Sequence, residues 1–228
     1  DSSFSNGYFL GGIFGHSSRT CTVDGCRVED VTFNGYWKTG GVTGYADGVT
    51  ISDTTVTDSS IKNSAMSGAL VGHANSGATA ITDVAVSGVK DENGEKMLAI
   101  GTTYEGGNSQ TITVSGDNTN IDAAGLVPSD STSTVQVSGG DFTFTIPDKY
   151  IPTTAGEEKI SVTFKSDDEI VIVQVIKPNG TVTLPTAPSK DGYTFQGWYL
   201  DNGAQVTAET TFAESTTVTA KWSKNPTG

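Results

Sequence analysis

Short runs of alternating apolar and polar residues recur through residues 1–145 of the chain. The alternation has a period of two, which is typical of β-strands. Its clearest examples are the pairs Cys26-x-Val28, Thr54-x-Val56, Val84-x-Val86, Ile112-x-Val114 and Val135-x-Val137. Asn, Asp and Gly separate the runs, as expected of turns. The pattern predicts about three short strands in each repeat, with the five pairs stacked in one column.

A glycine and an asparagine return at nearly constant intervals. The glycines are Gly15, Gly44, Gly72 and Gly101, and the asparagines are Asn6, Asn34, Asn63 and Asn93. A repeat of roughly 28 residues cannot bury its own apolar stripe, so successive repeats must stack. We expect each glycine to occupy a tight corner where backbones approach closely. We expect the asparagines to adopt left-handed turns and to bond their neighbours on adjacent repeats.

These regularities predict an all-β fold that begins with a right-handed parallel β-helix of about five short rungs. A leucine-rich repeat needs a Leu-rich consensus that is missing, and a propeller blade is longer, at about 40 residues. The repeat decays after Phe142, and Pro147, Pro152 and Gly156 interrupt regular pairing. We expect the stretch up to Ile151 to cap the solenoid. The predicted domains are residues 1–156 and 157–228.

The glycine segments resemble a known repeat. Gly12-Ile13-Phe14-Gly15 and Ala69-Leu70-Val71-Gly72 are each followed by a Val-rich strand, and they resemble GLUG-motif repeats over about residues 1–145. That family occurs in bacterial surface and secreted proteins. The resemblance therefore implies an extracellular bacterial protein.

The second region has a different β pattern. Its characteristic motifs are the block Gly-Tyr-Thr-Phe-Gln-Gly-Trp-Tyr at residues 192–199 and a closing Ala-Lys-Trp at residues 220–222. Burying both Phe195 and Trp198 requires a one-residue slip, and Gly197 is the natural bulge. Residues 159–223 resemble the internalin-type B repeat, also called the Listeria–Bacteroides repeat. The resemblance implies a small β-grasp-like module of bacterial surface proteins, and we expect Phe195, Trp198 and Trp222 in its core.

The charge and composition of the chain exclude several classes of function. The chain has 26 acidic and 13 basic residues, for a net charge of −13. An acidic surface repels phosphate backbones and anionic lipid, so we expect no nucleic-acid partner. No apolar run is long enough to span a bilayer, so we expect no membrane insertion. With only two arginines, Arg19 and Arg27, and no nucleophile motif, we expect no catalytic residues, no cofactor and no enzyme activity.

The histidines and cysteines are the remaining candidates for site chemistry. His16 and His73 lie two repeats apart, about 10 Å at the strand spacing, which is too far for one zinc ion. We expect them to form a polar ladder on the solenoid surface, with Tyr45 between them, and we expect no metal site. Cys26 falls at a small core position. Cys21 and Cys26 could form a disulfide or remain two mostly buried thiols.

Aromatic residues are the main functional signal. Tyr8, Tyr36 and Trp37 fall in the same part of adjacent repeats, where exposed rings could bind the faces of sugars. Alternatively, Phe9, Trp37 and Met66 point inward and the tyrosines cover a corner.

The leading hypothesis is a non-enzymatic segment of a bacterial cell-surface protein. It would act as a stalk or adhesin, extracellular, attached to the cell wall and monomeric. Its partner would be a host or cell-surface protein or glycan. A carbohydrate-binding module is the first alternative, and a polysaccharide-degrading enzyme is the second.

Overall fold

The computed structural model describes residues 2–5, 7–103 and 110–226. In this part of the chain the fold is all-β, with one turn of 3-10 helix at Asp148–Tyr150. No helix here has the length and apolar character needed to cross a membrane. The chain divides into two compact units, Asp1–Gly140 and Asp141–Gly228. The stretch up to Ile151, which we expected to cap the solenoid, groups with the second unit from Asp141 onward. The predicted domain ends stay a prediction.

The strands of the first unit are short and evenly distributed. They are β1 (Ser2–Ser5), β2 (Phe9–Gly11), β3 (Phe14–Ser17), β4 (Cys21–Asp24), β5 (Arg27–Glu29), β6 (Val31–Asn34), β7 (Lys38–Gly40), β8 (Thr43–Ala46), β9 (Val49–Ser52), β10 (Thr55–Thr57), β11 (Ser60–Lys62), β12 (Met66–Gly68), β13 (Val71–Ala74), β14 (Ala78–Thr82), β15 (Ala85–Ser87), β16 (Ile100–Thr103), β17 (Thr111–Ser115), β18 (Asn120–Ile121) and β19 (Thr134–Val137). A further strand, β20 (Gly140–Phe142), lies at the boundary between the units.

These strands stack in parallel on strands of the next coil. The stacks are β1-β6-β11, β2-β7-β12, β3-β8-β13-β16, β4-β9-β14-β17-β19 and β5-β10-β15-β18. The result is a β-solenoid of about four turns. The predicted parallel β-helix is therefore confirmed. A full coil contributes five strands, where the sequence suggested three, because short turns split two of the predicted runs into two strands each.

The predicted column of five pairs is wrong at its end. Val114 pairs with Ile81, and Val137 with Val114, so these residues continue the column that begins with Val23 and Ile51. The column of Val28, Val56 and Val86 continues instead with Ile121.

The reason is that the number of residues between paired positions varies along the solenoid. It increases from the Val23–Ile51 pair through the Ile51–Ile81 pair to the Ile81–Val114 pair, and it is shortest from Val114 to Val137. A fixed step therefore places the later pairs on the wrong strand.

The solenoid interior is a set of apolar columns. Side chains less than 2% exposed include Phe33, Ile51, Leu70, Ile81, Ile100, Ile112 and Ile121. Each buried position is supported by the equivalent position above and below it, because parallel pairing in register places alternate side chains on the same face. One coil alone would leave this stripe exposed, so stacking supplies the hydrophobic stabilisation.

The four repeating glycines lie inside strands and not at corners. Gly15, Gly44, Gly72 and Gly101 are all in the β3-β8-β13-β16 stack. A β-carbon on Gly72 would lie 2.6 Å from the Thr39 backbone nitrogen and 2.7 Å from the Gly44 oxygen. The neighbouring stack carries a matching glycine, since a β-carbon on Gly40 would lie 2.6 Å from the Leu70 oxygen. The glycines thus allow two backbones to pack against each other.

Other residues make the tight corners of the coil. Positive φ angles are found at Gly25 (62°), Asp53 (45°) and Asp83 (52°), between the fourth and fifth strand of successive coils. A second set, at Asp30 (54°) and Asp58 (48°), precedes the first strand of the next coil. Asp tolerates left-handed geometry better than most residues because its short side chain bonds locally.

The second unit is a small β module. Its strands are β21 (Ile160–Ser166), β22 (Glu169–Ile176), β23 (Gly180–Thr181), β24 (Tyr193–Tyr199), β25 (Gln205–Val206), β26 (Thr211–Phe212) and β27 (Thr216–Lys224). The main sheet has the order β25-β24-β27-β21-β22, with β21 parallel to β27 and the other pairs antiparallel. Strands β23 and β26 form a separate antiparallel pair.

An aromatic cluster organises this module. The Trp198 side chain is 3% exposed and makes edge contacts with Phe164 (5.1 Å between ring centroids) and Phe195 (5.3 Å). The register of β24 shifts between Phe195 and Gly197, and Gly197 has a φ of 127°, so the predicted bulge is confirmed. Of the three aromatic residues predicted in the core, only Trp198 is buried. Phe195 and Trp222 are partly buried and pack against the core cluster that contains Trp198.

Asp141 is the titratable group of the second unit whose pKa differs most from its usual value. Burial raises its pKa to about 6, although the Gln174 side-chain amide lies within 3.5 Å of the carboxylate and opposes the change. Gln174 is itself held by the Thr183 backbone, which accepts from its Nε2 and donates to its Oε1. The folded chain therefore binds this proton more tightly than the unfolded chain does.

The close backbone approach at Gly72 predicts that Gly72→Ala lowers the stability of the solenoid. The added methyl group meets backbone atoms that cannot move independently, and overpacking of this kind costs about 1–3 kcal/mol. Thermal melting by circular dichroism checks the effect. Gly125→Ala is the matched control, because its β-carbon would meet only the end of the Leu98 side chain. Equal melting temperatures for the two variants would contradict the packing role.

The raised pKa of Asp141 predicts a pH-dependent effect of Asp141→Asn. Because the folded pKa lies above the unfolded value, the carboxyl group's contribution to stability is complete below pH 4 and is lost as the pH rises through 6. We expect the melting temperature of the variant to rise relative to the parent chain between these pH values. Melting curves at pH 4, 5, 6 and 7 measure the difference, and a constant difference would contradict the prediction.

Candidate functional site

Three large rings lie exposed together on adjacent coils of the solenoid. Tyr8, Tyr36 and Trp37, which we call the aromatic patch, have exposed fractions of 62%, 66% and 38%. The centroid of the Tyr8 ring is 5.2 Å from that of Tyr36 and 6.5 Å from that of Trp37, both in edge-on geometry. The structure therefore brings the predicted residues together as one surface.

Backbone pairing between coils holds the patch in place. The Tyr36 N–H donates to the Gly7 oxygen (3.2 Å), and the Lys38 N–H donates to the Tyr8 oxygen (2.9 Å). The adjacent strands pair Phe9 with Lys38. In the backbone register Tyr8 is consequently opposite Trp37, one residue away from the alignment that the sequence suggested, although its ring is nearer to that of Tyr36.

A buried lysine packs against the patch. The Lys38 residue is 6% exposed, and its Nζ lies 4.6 Å from the Trp37 ring centroid and 4.3 Å from that of Tyr45. Such contacts stabilise the ammonium by attraction to the ring faces. Burial lowers the Lys38 pKa, and the charge of Asp47 opposes this effect. Register places Lys38, and not Trp37, in the column of Phe9, so the alternative with Trp37 pointing inward is wrong.

The two histidines form the ladder that the spacing predicted. The Tyr45 ring lies between them, with centroids 4.7 Å from His16 and 5.5 Å from His73. His73 Nδ1 lies 2.7 Å from Thr102 Oγ1, which continues the ladder into the next coil. His73 is only 7% exposed and not on the surface. Burial, and then the charge of Lys38, lower the pKa of His73, which favours the neutral form of its imidazole.

Asp47 accepts three hydrogen bonds beside this ladder. Its Oδ1 accepts hydrogen bonds from Asn75 Nδ2 (2.5 Å), Ser76 Oγ (3.1 Å) and Tyr45 Oη (3.1 Å). These bonds, led by that of Asn75, hold the pKa of the Asp47 carboxyl below its usual value. In the described part of the chain, no group of three or more His, Cys, Asp or Glu side chains is arranged to hold a metal ion.

A cleft of about 400 Å³ opens beside the aromatic patch. Its lining includes Tyr36 of the patch, Asn63, and the acidic pair Asp91 and Glu92. Asp91 Oδ1 accepts the backbone N–H groups of Asn93 (2.8 Å) and Glu95 (2.9 Å), which fixes the turn that carries Glu92. These bonds, with that of Glu95 the largest cause, lower the pKa of Asp91.

Of the described asparagines that we predicted to adopt left-handed turns, Asn63 does so, whereas Asn34, in strand β6, and Asn93 do not. Asn63 has a φ of 55°, its Nδ2 donates to Asn34 Oδ1 (2.8 Å), and its backbone N–H donates to Glu92 Oε2 (2.8 Å). Asn93 belongs to the Asp91 turn and does not extend this ladder. Asn6 lies outside the described residues. The side-chain bond between Asn34 and Asn63 therefore links two coils at the cleft.

The cysteines are both free thiols, and neither is fully buried. Cys21 Sγ donates to the Gly48 oxygen (3.8 Å), and Cys26 Sγ donates to the Asp24 oxygen (3.4 Å). Burial raises the pKa of the Cys21 thiol. Of the two alternatives left open by the sequence, the structure has the thiols, which are more exposed than expected.

Sequence reasoning missed Lys38, Asp47, Asp91 and Glu92. Lys38 looked isolated because no acidic residue is near it in the chain, and its ring neighbours Phe9 and Tyr45 come from other strands. Asp91 and Glu92 do stand in a turn-forming Asp-Glu-Asn-Gly stretch at residues 91–94. That signal predicts a turn, but only the stacking of coils shows that the turn and Tyr36 line the same cleft.

Comparison with known families identifies one match. Residues 161–221 match the family model of the Listeria-Bacteroides repeat domain. The match confirms that part of the sequence resemblance, and such repeats are typical of extracellular bacterial surface proteins. The finer internalin-type assignment and the GLUG motif stay predictions. A search of curated proteins finds no match.

The left-handed geometry of Asn63 predicts that Asn63→Ala destabilises the solenoid more than Asn63→Gly does. Both variants lose the side-chain bond to Asn34, but only Ala carries a β-carbon that disfavours positive φ, which costs roughly 1 kcal/mol. Urea unfolding of the two variants measures the difference. A larger loss for Asn63→Gly would contradict the role of the backbone conformation.

Proposed function

We propose that this chain is a non-enzymatic adhesive segment of an extracellular bacterial surface protein. In this role the solenoid presents the aromatic patch to a protein or glycan on a host or neighbouring cell. Attachment to the cell wall, the use of the solenoid as a stalk and a monomeric state belong to the same proposal. The match of residues 161–221 to a repeat typical of bacterial surface proteins supports the location.

One observation carries the adhesive role. Tyr8, Tyr36 and Trp37 leave much of their ring surface in water although they touch one another. Apolar surface of this kind is costly to expose, and tyrosine and tryptophan are enriched where proteins bind partners. In the same coil as Tyr8, Phe4 and Ile13 are also exposed, at 44% and 41%. Among the exposed rings that the structure describes in the solenoid, however, only Tyr8, Tyr36 and Trp37 form one contiguous cluster.

The rigidity of the patch also supports the proposal. Backbone hydrogen bonds tie Tyr8 and Tyr36 to neighbouring coils, and Lys38 packs against the face of Trp37. A preorganised surface loses little conformational entropy when a partner binds. The net charge of −13 favours partners that are neutral or basic over anionic ones.

The proposal predicts that the double variant Tyr8→Ser/Tyr36→Ser reduces adhesion. Fluorescently labelled chain is incubated with cultured epithelial cells and with bacterial cells, and bound fluorescence is measured. We expect a loss of about tenfold or more, because exposed aromatic anchors supply a large share of binding energy. Tyr193→Ser, an exposed tyrosine of the second unit at 39%, is the matched control and should bind like the parent.

Equal binding by the double variant and the parent would overturn the role of the patch.

Fractionation of the source bacterium with an antibody to the chain tests the wall location, and size-exclusion chromatography tests the monomeric state. Release of reducing ends from a polysaccharide panel by the purified chain would overturn the non-enzymatic part of the proposal.

A further inference from the structure

The cleft beside the aromatic patch has the features of a small-molecule site. Its volume of about 400 Å³ lies within the range of roughly 300–1,000 Å³ in which ligand pockets fall. Its lining includes the exposed ring of Tyr36 and the buried side chain of Ile61. We propose that this cleft binds one residue of a neutral glycan, with a sugar ring stacked against Tyr36. The inference rests on the proposed adhesive function and names its ligand class.

The ring and the polar groups match the two faces of a pyranose. A hexose presents an apolar C–H face and a rim of hydroxyl groups. Tyr36 offers an amphipathic ring for the C–H face. In the same cleft, Asn63 and Glu92 offer an amide, which donates and accepts, and a carboxylate, which accepts. This combination suits hydroxyl groups, which both donate and accept.

The hydrogen-bond inventory leaves suitable atoms available for the ligand. Asn63 uses its N–H and its Nδ2, and Glu92 uses Oε2. Among the residues that the structure describes, neither Asn63 Oδ1 nor Glu92 Oε1 has a hydrogen-bonding partner. Both atoms belong to side chains that are already positioned by their other bonds. The site therefore requires little reorganisation before it accepts a sugar hydroxyl.

Charge decides which class of sugar fits. Asp91 and Glu92 line the cleft, and its described lining contains no Lys, Arg or His. A uronate, sialate or sulfated sugar would place a second negative charge against these carboxylates, which is unfavourable. A cationic peptide is the competing ligand. Asp91 already accepts two backbone N–H groups and Glu92 accepts one, so part of their negative potential is compensated.

Nuclear magnetic resonance titration of the full, isotopically labelled chain tests the inference. The neutral probes are methyl β-D-glucopyranoside, methyl β-D-galactopyranoside, methyl α-D-mannopyranoside and N-acetylglucosamine. The charged probes are glucuronate and trilysine. We expect at least one neutral sugar to shift the amides of Tyr36, Asn63 and Glu92, with a dissociation constant on the order of 1 mM for a single sugar ring.

Three variants separate the contributions. Tyr36→Ala should weaken binding by about tenfold, whereas Tyr36→Phe should retain it because the ring is kept. Glu92→Gln should weaken the neutral sugar by about threefold and should raise the binding of glucuronate relative to it, since the repulsion is removed. Tyr193→Ala is the control for nonspecific stacking, and melting curves verify that each variant is folded.

Several results would overturn the assignment. These are an absence of shifts with all four neutral sugars, binding of glucuronate as tight as theirs, trilysine alone shifting the cleft amides, or unchanged affinity in Tyr36→Ala. The cell-binding experiment is independent of these measurements. Adhesion without sugar binding would refute the neutral-glycan assignment alone, and sugar binding at the cleft without adhesion would refute the adhesive function alone.

Discussion

Pairing of each coil with the next in parallel register is the constraint on which the first unit depends. It places alternate side chains in columns, so that no coil buries its apolar stripe without its neighbours. It also requires two stacks of strands to approach within backbone contact. Gly40 and Gly72 make this possible, because a β-carbon at either position would meet main-chain atoms. The glycine repeat is therefore a packing requirement of the interior, and the corners are made by Gly25, Asp53 and Asp83.

The same pairing creates the functional surface. Polar and aromatic residues that are far apart in the chain become neighbours across coils, as Tyr8 does with Tyr36 and Asn34 with Asn63. The buried Lys38 shows how the pairing of coils determines the surroundings of a charged side chain. It has no acidic neighbour in the chain, yet it lies between rings and within the electrostatic influence of Asp47. Stacking thus holds an exposed aromatic patch in place by backbone pairing between coils.

The second unit follows different rules. Its core forms around Trp198, and the bulge at Gly197 allows Phe195 to pack on the same cluster. A long block of specific residues defines this module, and the match of residues 161–221 to a known repeat agrees with that. The solenoid instead is defined by a degenerate period. Its function must therefore be argued from the surface that its own residues build.

The sequence by itself determined the all-β class, the stacking of repeats and the bulge, because alternation, Gly or Asp punctuation and aromatic spacing are local signals. It did not determine the number of strands in a coil or the residues that form its corners. Nor did it determine the register between coils. Loop lengths vary, so the step between coils is not constant, and a fixed period misplaced Ile112 and Val135 and the partner of Tyr8. Only the tertiary structure decided which side chains share a column and that the turn at Asp91 and Glu92 lines the same cleft as Tyr36. Such contacts join residues from separate coils, and their energies depend on a register that no short stretch of sequence encodes.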